Sequence, residues 1–326
     1  VKPFKFEQAT TAVHASRTHL DAAPDARFIS GGTDILAQIK EGTLRINTLV
    51  SLAGLPGASE VETTGDGLEI GALVTLSQIA SDPSIAESHP ALSQAAQSVA
   101  TPQIRNAGTL GGNLCQRPRC WYFRDASFYC RKKGGDNCFA YSGENRYHAI
   151  LGSGDCHIVH PSDVAVALLA LDATVVVSGE SGDKDIPISE FFVQPDVNVL
   201  AENVLEPGEF VSRVKIPNLP SGARSVYLKA KERQAYDFAL SSVASSLVVI
   251  DGRITQARVV LGGVAPVPYS LPHVDSALTG QKIQDVDAQA IGKLAVQDAQ
   301  PMSDNGYKVR LTASMVARAV SQLLAK

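Results

Sequence analysis

Every cysteine of this 326-residue chain falls between Cys115 and Cys156. They are Cys115, Cys120, Cys130, Cys138 and Cys156, spaced by 5, 10, 8 and 18 residues. Such clustering in a long chain is not the pattern of a disulfide scaffold and points to a metal site. The spacings match neither the CxxC pairs of a zinc ribbon nor the common ferredoxin runs, so spacing alone names no metal. The stretch has few apolar residues, mostly aromatic, among them the only tryptophan, Trp121. Closing a loop of roughly 36 residues costs on the order of 3 kcal/mol. A structural metal supplies about 10 kcal/mol or more, so it can order a segment that packing alone cannot.

The rest of the chain sets the class. Its length exceeds the usual single-domain size, so two or three domains are expected. The net charge of −4 argues against a nucleic-acid or membrane-surface protein. The longest apolar run, Val164 to Leu171, is too short to span a bilayer. The opening "VKPFKFEQATTAVHASRTHL" has no apolar signal region, so a soluble chain without its own export signal is expected.

The first part alternates short strands and helices. "ARFISGG" reads as a strand entering a turn, and "TDILAQIKEG" as a helix ending at Gly42. "TLVSLAGLPG" and "DGLEIGALVTL" are strand–turn units, and "HPALSQAAQSVA" is helical. "SDVAVALLALDATVVV" is a helix running into a strand. The zone from about Gln194 to Gly208 resembles a surface connection, and "EFVSRVKIP" is a strand that stops at Pro217. "SSVASSLVVIDGRITQARVVLGG" reads as a hairpin turning at Asp251-Gly252. A helix closes the chain in "KVRLTASMVARAVSQLLAK". The pattern is α+β, with residues 1–217 as one domain, 115–156 inserted in it, and 218–326 as a smaller sheet backed by helices.

Two glycine loops suggest a phosphate-bearing ligand. "FISGGTDILAQ" sets Ser30, Gly31, Gly32, Thr33 and Asp34 between a strand and a helix. Glycine lets backbone approach a ligand, and amides at a helix start attract phosphate. Thr33 or Asp34 could equally be capping the helix. The loop matches neither the Rossmann fingerprint nor a P-loop. The second, "TPQIRNAGTLGGNLC", holds Gly108, Thr109, Gly111, Gly112 and Asn113.

Together with "HPSDVAVALLALDA" and "YLKAKERQAYDFAL", these loops resemble the FAD-binding subunits of the molybdenum hydroxylases, the xanthine dehydrogenase and carbon monoxide dehydrogenase family. The resemblance covers essentially the whole chain. It implies a two-part FAD-binding fold of the PCMH or vanillyl-alcohol-oxidase type, followed by a C-terminal sheet-plus-helices domain. It makes Ala26, Arg27, Phe28, Ile29, Ser30, Gly31, Gly32, Thr33 and Asp34 the pyrophosphate loop. Gly108, Thr109, Gly112 and Asn113 fall in the second FAD loop. Asp163 matches an aspartate near the flavin or ribityl group, and Lys229 a lysine beside the isoalloxazine. Read alone, Asp163 is a helix-start residue and Lys229 a strand residue.

In most of this family the sequence passes almost directly from "GGN" to "SD", whereas here about 40 residues intervene. The insertion resembles those of periplasmic-type aromatic-aldehyde oxidoreductases and of 4-hydroxybenzoyl-CoA reductases, where it binds a [4Fe–4S] cluster. "RYHAILG…HPSD" is closer to the aldehyde group. Cys115 follows "GGNL" and belongs with the flavin loop, which leaves Cys120, Cys130, Cys138 and Cys156 as the expected ligands. From Cys115 to His148 there are seven Arg/Lys and three Asp/Glu, and positive charge stabilises an anionic cluster. Zinc held by some of these cysteines with His148, His157 or His160 remains open, as in a scaffold that only docks partners.

The resemblance implies an aldehyde dehydrogenase or oxidase in which this chain passes electrons to FAD and an external acceptor. Its partners would be a large molybdenum-cofactor subunit and a small subunit with two [2Fe–2S] clusters. A reductase of the benzoyl-CoA type is the alternative. Export to the periplasm with a signal-bearing partner is the expected location, the cytoplasm otherwise. No general base is expected, because the protein's part is binding and tuning.

Overall fold

A computed structural model describes residues 2–325. Three short strands come first: β1 (Lys5–Gln8), β2 (Ala26–Ile29) and β3 (Thr48–Ser51). They run parallel in the order β1–β3–β2. Parallel neighbours need crossover connections, and the helices Ala12–Asp21 and Ile35–Glu41 lie on those paths. The second helix stops at Gly42, whose φ of +76° is a conformation glycine adopts without strain.

The second sheet has strands β4 (Val61–Thr63), β5 (Gly67–Gly71), β6 (Thr174–Gly179), β7 (Gly182–Pro187) and β8 (Phe210–Pro217). Their order is β4–β5–β8–β6–β7, with every neighbouring pair antiparallel. The second glycine loop and the whole cysteine stretch are threaded between β5 and β6. Helix Asp163–Ala170 is buried along its full length. It is apolar on all sides because it lies between helix Pro90–Ser98 and the third sheet.

That sheet comprises β9 (Ala223–Ala230), β10 (Ser241–Ile250), β11 (Arg253–Gly262) and β12 (Tyr269–Ser270), antiparallel in the order β12–β11–β10–β9. Asp251 and Gly252 turn the hairpin with φ of 50° and 72°, the signs a type I′ turn requires. Successive residues of β10 serve different cores. Val243 and Leu247 join Val316, Val320 and Leu323 of helix Tyr307–Leu324, whereas Ala244 faces the core around helix Asp163–Ala170. No helix among the described residues is long and apolar enough to cross a membrane.

A candidate cofactor groove beside a cysteine cavity

The two glycine loops meet. Ser30 and Thr109 share a hydrogen bond of 2.9 Å between their hydroxyls. The Thr109 hydroxyl also accepts from the Gly112 amide, as an N-cap does. A Cβ at Gly31 would overlap the Ala107 carbonyl oxygen, so glycine is needed there for loop-to-loop approach whatever binds. Gly32 has φ of +71°, which strains any other residue. Among the described residues, the amides of Gly31, Gly32 and Thr33 find no protein acceptor.

A groove starts at Arg27, runs along Phe28 to Asp34, and includes Thr109, Gly112 and Cys115 in its wall. Ala26 is fully buried in β2 and lies behind that wall. Sharing Thr33, Asp34, Thr109 and Gly112, the groove continues into a cavity of about 360 Å³ that takes in Gly108, Asn113, Asp163 and Lys229. Asn113 accepts at 2.5 Å from the hydroxyl of Ser162, which caps helix Asp163–Ala170. The structure thus brings all the candidate groove residues except Ala26 to one continuous wall.

Lys229 is no lone cation. Its ammonium lies 2.7 Å from the Asp163 carboxylate, and both side chains are almost wholly buried. Lys229 also donates to the Ser98 carbonyl, and Tyr227 donates to the other Asp163 oxygen at 2.5 Å. Burial, reinforced by the Asp163 charge, pushes the Tyr227 phenol well above its usual range, so it remains a donor.

Asp34 lines the groove but does not cap the helix with its side chain, although it sits at the N-cap position of helix Ile35–Glu41. Its carboxylate instead takes Arg119, Arg124 at 2.6 Å and the Arg117 amide at 2.9 Å, all from the insertion. Burial alone would push this carboxyl up, but Arg119 and Arg124 outweigh it and hold it below the usual carboxylate range. Glu202 does the same on the other side, pairing with Arg117 at 2.9 Å and buried Lys132 at 3.0 Å. Arg131 pairs with Asp155, and Arg146 with Glu232. Lys133 is satisfied by the carbonyls of Tyr122 and Asp125. The insertion's positive charge is therefore mostly neutralised by carboxylates outside the 115–148 stretch. Nothing in the sequence marked Glu202, which lies in the presumed surface connection.

All five cysteines are free. Cys120, Cys130, Cys138 and Cys156 line one small cavity, closed by Tyr122, Phe123, Phe139, Lys132 and His148. Tyr122, Phe128 and Phe139 form a small aromatic core beside it, with ring centroids 5.1 to 6.0 Å apart. The neighbouring Cys156 thiol favours the Cys138 thiolate and lowers its pKa. His148 Nε2 lies 3.2 Å from the Cys120 sulfur. Cys115 stands apart in the groove wall, where burial pushes its thiol up to about 12. Among the described residues, no three or more His, Cys, Asp or Glu side chains are arranged to hold a single metal ion. Cys120 and His148 also border a third cavity of about 450 Å³, which shares Asp163 with the groove.

From the other side, the start of helix Tyr307–Leu324 and the turn before it hold the returning segment of the insertion. Asn305 donates to the carbonyls of His148 and Ala149, Tyr307 to that of Arg146, and Lys308 to that of Tyr147.

Residues 1–219 match the family described as FAD binding domain in molybdopterin dehydrogenase. Residues 226–323 match the CO dehydrogenase flavoprotein C-terminal domain. The chain is 36% identical to the aldehyde oxidoreductase FAD-binding subunit PaoB of Escherichia coli K12, over 99% of this chain and 100% of that one. It is 26% identical to the 6-hydroxypseudooxynicotine dehydrogenase complex subunit alpha of Paenarthrobacter nicotinovorans, over 99% and 94% of the two chains. Carbon monoxide dehydrogenase of Hydrogenophaga pseudoflava has the same fold, with a TM-score of 0.80 at 22% identity, covering 100% of this chain and 99% of that one. The chain belongs to the FAD-binding subunits of the molybdenum hydroxylases, whose members are subunits of dehydrogenases and oxidoreductases. The expected fold, an FAD-binding domain followed by the family's C-terminal domain, is the one it adopts.

Proposed function

We propose that this chain is the electron-transfer subunit of a molybdenum-containing aldehyde oxidoreductase, holding FAD in the groove and a [4Fe–4S] cluster at Cys120, Cys130, Cys138 and Cys156. Its partners are a large molybdenum-cofactor subunit and a small subunit with two [2Fe–2S] clusters, with an external electron acceptor. The observation that carries the cluster is the sorting of the cysteines: four line one cavity, and Cys115 lines another. Four thiols are the ligand set such a cluster takes. The identity to an aldehyde oxidoreductase subunit favours the aldehyde substrate class.

When bound, FAD supplies single-electron acceptance with one- or two-electron delivery, and a cluster supplies one-electron transfer. The chain's own residues bind and orient. Gly31, Gly32 and Thr33 offer free amides to a pyrophosphate, and Ser30 and Thr109 pin the two loops that carry it. Asp163 and Lys229 present a neutral, buried ion pair to the groove. The aromatic residues and the ion pairs to Asp34 and Glu202 screen the cysteines, of which Cys130 and Cys156 are buried and Cys120 and Cys138 half-buried. On this reading the chain reaches the periplasm with a signal-bearing partner, which fractionation of cells making the full complex would test.

The test is metal content with cysteine variants of the full chain. Wild type should carry flavin and about four irons, with a broad absorption shoulder from iron–sulfur charge transfer. Cys115→Ser should keep the iron, while serine at Cys120, Cys130, Cys138 or Cys156 should lose it. Zinc in place of iron, or iron lost only from Cys115→Ser, would overturn the assignment.

A further inference from the structure

The insertion and the flavin loop are joined at one side chain. Asp34 belongs to the "SGGTD" loop, yet its carboxylate holds Arg119, Arg124 and the Arg117 amide from the insertion. Those groups surround Cys120. Arg119 precedes it directly, and Arg124 ends the helical turn Trp121–Arg124 that Cys120 starts, its amide donating to the Cys120 carbonyl at 2.9 Å. Whatever fixes Cys120 in its cavity therefore fixes both guanidiniums on Asp34. Asp34 in turn bounds the glycine loop on the side away from the Ser30–Thr109 bond, so that loop is gripped from both sides only while the insertion is in place.

Resting on the cofactor reading above, we propose that Asp34 is a positioning residue through which the cysteine insertion sets the affinity of the groove for FAD. Metal occupancy of the cysteine cavity and FAD binding then favour each other. Two sites that bias one shared element are coupled reciprocally: each ligand strengthens the other by the same factor. Without the metal, the insertion is ordered by its small aromatic core, its ion pairs and the hydrogen bonds from Asn305, Tyr307 and Lys308 to its return, and Cys120, with the arginines that flank it, is held less firmly. The Asp34 loop would then have to be ordered by FAD alone, and binding weakens by that cost.

The experiment measures FAD affinity by flavin fluorescence on the full chain. It compares wild type, Asp34→Asn and Arg124→Gln, each with iron and after oxidative chelation of its iron. Arg124 lines neither the groove nor its continuation. A change in FAD affinity from Arg124→Gln therefore acts through the residues it holds, Asp34 at 2.6 Å, the Arg117 carbonyl at 3.0 Å and Glu41 at 3.7 Å. Agreement with Asp34→Asn singles out Asp34. In wild type, iron removal should raise the FAD Kd by roughly 5-fold or more, the lower end of ordinary coupling. In both variants the starting Kd should be raised, and iron removal should change it by less than about twofold, the residue of a broken coupling. Conversely, FAD should slow iron loss to a chelator in wild type and not in the variants. Iron content and far-ultraviolet circular dichroism of each variant show that it folds, and Arg124→Lys should restore part of the coupling. An unchanged Kd on iron removal from wild type overturns the coupling and leaves the cluster standing. An equal loss of affinity in wild type and variants overturns the route through Asp34. A chain that binds FAD but no iron overturns the cluster reading and this proposal with it.

Discussion

The family resemblance singles out Lys229 and Asp163, but it does not show that they are partners. They lie 66 positions apart, and only the fold sets them 2.7 Å from each other. The consequence is asymmetric. Lys229→Met leaves a nearly buried carboxylate without its cation, and breaking one side of such a pair costs about 3 to 5 kcal/mol. Lys229→Met combined with Asp163→Asn removes both charges and leaves Tyr227 a neutral acceptor, so the double variant should regain part of that loss. Urea midpoints of the cofactor-free chain would check this. A double variant no more stable than Lys229→Met would mean that the carboxylate is not the source of the cost. The same blindness to distant partners holds for the insertion: residue type makes its cysteines legible, while nothing local shows which carboxylates its arginines face. Asp34 and Glu202, each about 85 positions from Arg117, are what those arginines face.

Where boundaries depend on local chemistry, elements were legible. Gly42, the Asp251-Gly252 turn and Pro217 each end an element as their backbone preferences dictate. The parallel order β1–β3–β2 was not legible, because crossover pairing leaves no local trace. The glycine loops fall between the two cases. Their residues suggested a phosphate cradle, but Gly31 is also demanded by the Ala107 carbonyl and Gly32 by its positive φ. Substitution at Gly32 therefore reports strain as much as ligand contact. Gly31→Ala should part the loops and lose most bound flavin. Gly112→Ala meets two hydroxyls, of Ser30 and Thr109, each 3.0 Å from the new Cβ, a contact relieved by a shift of a few tenths of an ångström, whereas a Cβ at Gly31 would lie 1.8 Å from a backbone oxygen. It should retain flavin far better. Equal flavin loss from the two, measured after gel filtration, would argue against this ranking.

Across the whole molecule, buried neutral histidines set a limit in acid. His160 accepts from the Ser162 amide, and its Nε2 has no partner among the described residues. Burial, helped by the Lys132 charge, lowers it to about 3. Below pH 6.5 the unfolded chain takes up a proton that the folded chain refuses, so stability falls as pH drops from 6.5 towards 3. The slope from one such histidine approaches about 1.4 kcal/mol per pH unit. His160→Gln should flatten the dependence of unfolding free energy between pH 6 and 4 by nearly that amount, and an unchanged slope would show that other groups dominate. A second whole-chain property follows from the bracing of the cysteine stretch by Glu202, Asn305 and Lys308. Those residues are synthesised after Cys156, the last more than 150 positions later. At the usual pace of about 5 to 20 residues per second, the thiols wait on the order of ten seconds for the walls that enclose them. During translation they are exposed on an unfinished chain until residues up to Lys308 have followed them out of the ribosome.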